Sequence, residues 1–369
     1  MPPLSVMMKP SSSLCNIKCD YCFYCDEAKN REQESYGMMS ETTLKNIIRK
    51  TITRSQGTIT YIYQGGEPTL RGLGFFEKAI ELENQYNRNN IVVNHAIQTN
   101  GIVIDEKWCE FLKKNNFLVG VSVDGITKTH NKYRHQKNGG GTYQRVFETT
   151  KLLDKYKVDY NVLTVVTKDV ANNIEEIYKD YSIKEWNFQQ YIACLEPLDQ
   201  IRGENNYALT PIDFGIFQTK LFELWYQDYL LGKQPYIRQF ENYVAIANGY
   251  RAEACDQKGH CSLQIVVESD GSVYPCDFFM LDEYKVGNFN GDRLDSIMQN
   301  KINAEFINRS LLIDPDCKTC EHYWICKGGC QRNREKIEGQ NYYGNFLCEG
   351  FKYFFDNCMG KINSIKVSR

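Results

Sequence analysis

Fifteen cysteines stand in a chain of 369 residues, and all but Cys109 and Cys194 fall in two groups, at 15–25 and 255–358. The length is ample for a buried core, the count is odd, and Met1–Lys9 has neither the basic start nor the long apolar run of a signal peptide. Those features favour a reducing, cytoplasmic setting and metal-bound thiols over disulfides. Cys15-x3-Cys19-x2-Cys22 directly follows the first predicted strand. Three thiolates on one short loop can hold three irons of a [4Fe–4S] cube and leave the fourth iron open to a ligand. A zinc site is the alternative, as is a set completed by Cys25, because Cys22-x2-Cys25 is itself a metal-binding spacing.

Short polar groups recur at later strand ends. In Gln64-Gly65-Gly66-Glu67-Pro68 the paired glycines let backbone approach a ligand, and Glu67 offers an acceptor for an ammonium. Gln98-Thr99-Asn100-Gly101 and Ser122-Val123-Asp124-Gly125 follow, with Arg134 able to pair with a carboxylate. Taken singly, each is equally a turn or a solvated loop. The second cysteine group reads Cys255-x5-Cys261, Cys276, Cys317-x2-Cys320-x5-Cys326-x3-Cys330 and Cys348. Eight thiols suit two four-ligand clusters or two structural zinc sites, and spacing alone does not decide which cysteine joins which. Asp277, beside Cys276, is a carboxylate able to take a proton, or simply a charge at a strand end.

These residues need a frame. Apolar runs at Ser5–Lys9, Thr58–Tyr63, Val92–Gln98, Phe117–Val123, Tyr160–Val166 and Trp186–Ile192 read as six strands. Between them lie helices opening at Ser40 and running through Phe75–Leu82, Asp105–Lys114, Thr142–Tyr156 and Val170–Tyr181. The alternation predicts a parallel α/β sheet with chemistry at the strands' C-terminal ends, and leaves open sheet and barrel undecided. Thr210-Pro211 opens a further helix to Leu231, and Ser269-Asp270-Gly271 marks a hairpin. A last helix covers Gly350–Ile365; Cys109 and Cys358 fall on helices as core residues. Residues 255–348 are turn-rich and short of apolar runs, so metal is expected to supply stability there. A net charge of -2 gives no electrostatic case for nucleic acid or an anionic membrane surface. No stretch approaches the roughly 20 apolar residues that span a bilayer.

With the cysteine loop and Gly65-Gly66-Glu67-Pro68 in view, the chain resembles the radical S-adenosylmethionine enzymes. The resemblance implies a partial (β/α)6 TIM-like barrel over residues 1–235. It gives Cys15, Cys19 and Cys22 a [4Fe–4S] cluster whose open iron binds S-adenosylmethionine. Tyr21, Gly65, Gly66, Glu67, Ser122, Arg134 and Leu195 are then the expected cofactor contacts. The later cysteines resemble the SPASM extension, expected over 236–348 and followed by a C-terminal helix at 349–369. That likeness implies two auxiliary [4Fe–4S] clusters, on Cys255, Cys261, Cys276 and Cys330 and on Cys317, Cys320, Cys326 and Cys348.

Ser5 to Pro10, Cys15 to Tyr24 and Glu268 to Phe278 together resemble the anaerobic sulfatase-maturating enzymes, with Val6 where that pattern has leucine. The resemblance implies oxidation of a cysteine or serine in a Cys/Ser-x-Pro-x-Arg sulfatase peptide to Cα-formylglycine. A deoxyadenosyl radical takes a Cβ hydrogen, Asp277 takes the thiol or hydroxyl proton, and an electron leaves through the auxiliary clusters. Flavodoxin or ferredoxin is the implied donor, and a monomer the expected state. Two other readings stand beside it. A ribosomal-peptide maturase forming thioether or carbon–carbon crosslinks shares the SPASM cysteines but often carries an added N-terminal recognition domain. A non-catalytic iron–sulfur or zinc module has no use for the open three-cysteine loop or for Gln64–Pro68.

Overall fold

The computed structural model describes residues 3–366; Met1-Pro2 and residues 367–369, the ends of the expected terminal domains, lie outside the described residues. The chain forms two compact units. One comprises the chain up to Ser122, Asn131–Tyr160 and Leu263–Glu305; the other comprises Val123–His130, Asn161–Ser262 and the chain from Phe306 onward. The fold is mixed α/β, and among the described residues no hydrogen-bonded pairing closes the strands into a full barrel. Among them, too, no helix is long and apolar enough to cross a membrane.

The first unit rests on five parallel strands in the spatial order Ile265–Val267, Leu4–Met8, Thr58–Tyr63, Val92–Thr99 and Phe117–Ser122. Ile59, Tyr61 and Tyr63 are buried while the residues between them are not, the period-two alternation of a pleated strand. The helix Glu41–Ile52 starts where Ser40 predicts, its hydroxyl accepting the Thr43 N–H at 3.0 Å. Leu44, Ile47, Ile48 and Ile52 form its buried stripe, each contributing about 1.5–3 kcal/mol of apolar burial. From the helix Leu73–Tyr86, Phe76 packs edge-on between Tyr63 at 4.9 Å and Trp108 at 5.2 Å. Cys109 is buried in the helix Glu106–Lys114.

Three features depart from the sequence reading. The hairpin Ile265–Val267/Ser272–Tyr274, read as part of the cysteine-rich region, lies beside the first strand, with Val6 opposite Ile265. Ile265, Val266 and Val267 are all buried, as a strand covered on both faces requires. A three-residue strand, Ile17–Cys19, pairs antiparallel with Arg134–Gln136; neither is long enough to show an alternation. The helix expected over Val170–Tyr181 breaks at Asn173, whose side chain donates to the Asp169 carbonyl at 2.7 Å, leaving Lys168–Asn172 and Ile174–Ile183.

The second unit carries the parallel strands Tyr160–Val166 (from Asn161 onward), Phe188–Ala193 and Tyr236–Ile237. Its helix Pro211–Leu230 packs on the helix Cys348–Ser364 through glycines: a Cβ on Gly350 would lie 2.1 Å from the Pro211 carbonyl oxygen. Phe222, Trp225, Phe240 and Phe354 cluster around that crossing, and Cys358 is buried. Between Ile313 and Leu347 only one-turn helices and the hairpin Arg334–Lys336/Tyr343–Asn345 form.

Candidate active site

The first-unit site grows from the end of the first strand. After Met8 the chain turns through Ser12 N–H to Lys9 carbonyl (3.2 Å) and Leu14 N–H to Ser11 carbonyl (2.9 Å), delivering Cys15. Pairing of Ile17–Cys19 with Arg134–Gln136 sets Cys19 opposite Arg134. The Asp20 N–H continues the strap to the Tyr133 carbonyl at 3.0 Å. Arg134 is buried and donates to the Tyr21 hydroxyl at 3.2 Å. Asn100 reaches the loop from another strand end, donating to Asn16 at 2.8 Å and toward the Cys15 sulfur at 3.7 Å. Ser122 accepts from Gln98 at 2.9 Å.

The four thiols of this loop lie in electrostatic reach of one another. Cys25 donates its thiol hydrogen to Cys22, which brings Cys22 down to about 6 and raises Cys25. Burial raises Cys15. A set of partly exposed thiols, one already favouring the thiolate, fits a thiolate-held iron cluster.

Gly65, Gly66 and Glu67, read from the sequence as cofactor contacts, also serve the protein's own packing. A Cβ on Gly66 would lie 2.2 Å from the Leu14 carbonyl oxygen, and one on Gly65 would lie 2.3 Å from Lys9 Cδ. The space the glycines leave is filled by the cysteine loop and by Lys9. Glu67 is fully buried, and burial raises its carboxyl. Oε1 accepts from Thr69 N–H (3.0 Å), Thr69 hydroxyl (2.6 Å) and Thr99 hydroxyl (2.8 Å), and Oε2 accepts from Asn100 N–H (2.8 Å). Its oxygens thus tie two strand ends together.

Asp277 is buried, and both carboxylate oxygens are held. Lys9 pairs with Oδ1, and Gln64 donates to Oδ2 at 2.8 Å. The Lys9 ammonium lies 4.6 Å over the Tyr24 ring; the Tyr24 hydroxyl donates to Glu268, which pairs with Arg31 at 2.8 Å. Sequence reading singled out Asp277 and missed its partners. The available signal for Lys9 was a lone charge ending an apolar strand.

In the second unit, Cys317, Cys320, Cys326 and Cys348 feel one another's charge; burial pushes Cys326 up to about 12. Cys330 instead shares its surroundings with Cys255 and Cys261, and burial pushes it up to about 12. Cys261 donates to the Gln331 side chain at 3.7 Å. Cys276 is carried by the first unit, and Leu195 is half-buried in the second, just after the strand Phe188–Ala193.

Residues 10–181 match the radical SAM superfamily, and residues 259–321 match the SPASM iron–sulfur cluster-binding domain. The cysteine-type anaerobic sulfatase-maturating enzyme of Clostridium novyi is 41% identical over 99% of this chain and 98% of its own. The chain belongs to the anaerobic sulfatase-maturating enzymes. The serine-type enzyme of Bacteroides thetaiotaomicron is 30% identical over 96% of this chain and 89% of its own. Among solved structures, native anSMEcpe with bound AdoMet and Cp18Cys peptide superposes with a TM-score of 0.94, at 39% identity and 98% coverage of both chains. An anaerobic sulfatase-maturating enzyme is a radical S-adenosylmethionine oxidoreductase that generates formylglycine, with iron–sulfur clusters as resident cofactors.

Proposed function

We propose that this chain oxidises a cysteine, in preference to a serine, within a Cys/Ser-x-Pro-x-Arg sulfatase peptide, and that Asp277 is the base. The 41% identity to a cysteine-type enzyme against 30% to a serine-type one supports the preference. The observation that carries the base is the buried Asp277 carboxylate, held by Lys9 and Gln64, which follow the paired strands Leu4–Met8 and Thr58–Tyr63. Cys15, Cys19 and Cys22 would hold the cluster that binds S-adenosylmethionine. Cys317, Cys320, Cys326 and Cys348 would hold an auxiliary one, and Cys255, Cys261 and Cys330 would be three of the four ligands of the other. Cluster and S-adenosylmethionine, when bound, would supply the radical chemistry that removes one Cβ hydrogen atom from the substrate.

The chain's own residues do the rest. Arg134, which donates to the Tyr21 hydroxyl, would meet the cofactor's carboxylate, and Ser122 at the end of the strand Phe117–Ser122 would offer a hydroxyl. Glu67 ties together the ends of the strands Thr58–Tyr63 and Val92–Thr99, the second of which carries Gln98, the donor to Ser122. Asp277 accepts the substrate Sγ proton. Loss of one hydrogen atom, one proton and one electron leaves a thioaldehyde, and water converts it to the aldehyde with release of hydrogen sulfide. Auxiliary clusters held by the later cysteines would supply an acceptor for that electron, a flavodoxin or ferredoxin would be the external donor, and the enzyme would act as a monomer.

Mass spectrometry of an anaerobic reaction with a Cys-x-Pro-x-Arg peptide, its serine counterpart and an Asp277→Asn variant tests this. The expected result is peptide aldehyde with matching 5'-deoxyadenosine, faster for cysteine, and cut to a small measurable residue in the variant. Deoxyadenosine without aldehyde from either peptide would redirect the search to another peptide chemistry.

A further inference from the structure

We infer that Lys9 is a positioning residue for the oxidation, holding the Asp277 carboxylate in the one orientation that meets the substrate; this rests on Asp277 being the base. A lysine side chain with no solvent exposure is costly unless its charge is paired, and the Lys9 ammonium is paired with Asp277 Oδ1. The slot it runs through is built for it. Gly65 has φ +99°, and a Cβ there would lie 2.3 Å from Lys9 Cδ and 3.2 Å from both Cε and Nζ, so the side chain fits only because residue 65 is glycine. On its other side the ammonium rests on the Tyr24 ring. Tyr24 is itself fixed by its bond to Glu268, and Glu268 by Arg31, both fully buried.

With Gln64 on Oδ2, the carboxylate cannot rotate about its own bond without losing two charge-assisted or buried hydrogen bonds. Each oxygen keeps a lone pair for the incoming proton. Lys9 exchanges no proton with substrate; it acts through the aim of Asp277. The brace joins the end of the first strand to the segment after the hairpin, so the pairing of Val6 with Ile265 also sets Lys9 against Asp277.

The test compares Lys9→Met, Asp277→Asn and the double variant in iron-loaded protein. Iron and sulfide content and Tm report integrity. The decisive readouts are peptide aldehyde formed per deoxyadenosine and the peptide KM. Lys9→Met is expected to lower the aldehyde-to-deoxyadenosine ratio at least tenfold with KM unchanged, and to change it less than twofold in the Asp277→Asn background. A wild-type ratio in fully loaded Lys9→Met, or an equal fall in both backgrounds, overturns the inference. If Lys9→Met does not load iron, Gln64→Leu removes the other hold without stranding a charge. A lowered ratio there supports positioning, and an unchanged one overturns it. A wild-type ratio in Asp277→Asn would instead remove the base itself, a result distinct from failure of Lys9 alone.

Discussion

Around Cys15, Cys19 and Cys22 the protein supplies a scaffold of its own. The loop is strapped by a strand pair, wedged against Gly66 and tied by Asn100 to a strand end locked by Glu67. Around Cys317, Cys320, Cys326 and Cys348 it supplies one-turn helices and a three-residue hairpin, with Arg334 gathering three carbonyls. The first set of thiols is presented by a frame held by strand pairing, close packing and buried hydrogen bonds. The second sits in a segment with few buried apolar side chains, where the iron we propose for these cysteines would supply much of the order. A reactive cluster needs its open face held still by something other than itself, whereas an auxiliary cluster can double as the core of its own segment.

The largest expected effect breaks this comparison directly. Stripping iron from the loaded protein should abolish hydrogen-exchange protection across residues 313–348, a loss on the scale of about 10 kcal/mol seen for structural metal in small cysteine domains. Protection of the strands Thr58–Tyr63 and Val92–Thr99 should change little. Equal loss in both places would show that the two regions are built alike. Next in size is Glu67→Gln, which turns an amide NH2 toward donors that now face a carboxylate. It should cost about 3 kcal/mol in urea unfolding and lower cluster loading on the first loop only. Unchanged stability would mean the strand ends do not depend on this lock.

The sequence carried this contrast unevenly. Parallel strands and their helices were legible because apolar periodicity reports which face is buried, and Ser40 announced its helix. Three-residue strands such as Ile17–Cys19 carry no period, so the strap on the cysteine loop appears only once the chain is folded. Cysteine spacing counts ligands without partitioning them: Cys330 follows Cys326 closely in sequence yet shares its surroundings with Cys255 and Cys261. Glycine is ambiguous by nature. Gly65 and Gly66 read as room for a ligand, and the folded chain shows that a Cβ there would also meet Lys9 and the cysteine loop. Buried pairs between residues more than 200 apart, Lys9 with Asp277 and Arg31 with Glu268, leave no local trace.

A smaller effect sharpens the second half of the comparison. Arg334 donates to the carbonyls of Gly328, Gly329 and Ser310 at 3.0, 2.7 and 2.6 Å, ordering the backbone next to Cys330. Arg334→Met should destabilise the iron-free chain by about 2 kcal/mol. Its effect on the loaded protein should be smaller, because the metal then fixes the same backbone. Denaturant unfolding with and without iron measures the difference, and equal losses would count against metal as the dominant brace.

The smallest effect is a difference in thiol reactivity. Cys22, lowered to about 6 by the Cys25 thiol, is mostly thiolate at neutral pH, whereas burial pushes Cys326 and Cys330 up to about 12. In iron-free protein, iodoacetamide mapped by mass spectrometry should modify Cys22 with a midpoint near pH 6 and leave Cys326 and Cys330 slow through pH 9. The linkage has a definite sign. A depressed thiol pKa contributes stability that is fully present above the unfolded value of about 8.5 and is lost as pH falls through about 6. Cys25→Ala removes the donor that causes the shift, so the Cys22 midpoint should climb toward 9 and that stability window should close. If the midpoint stays near 6, the shift comes from the loop's backbone donors and Cys25 is a bystander; if it climbs, the extra cysteine has the task of keeping its neighbour ready for iron.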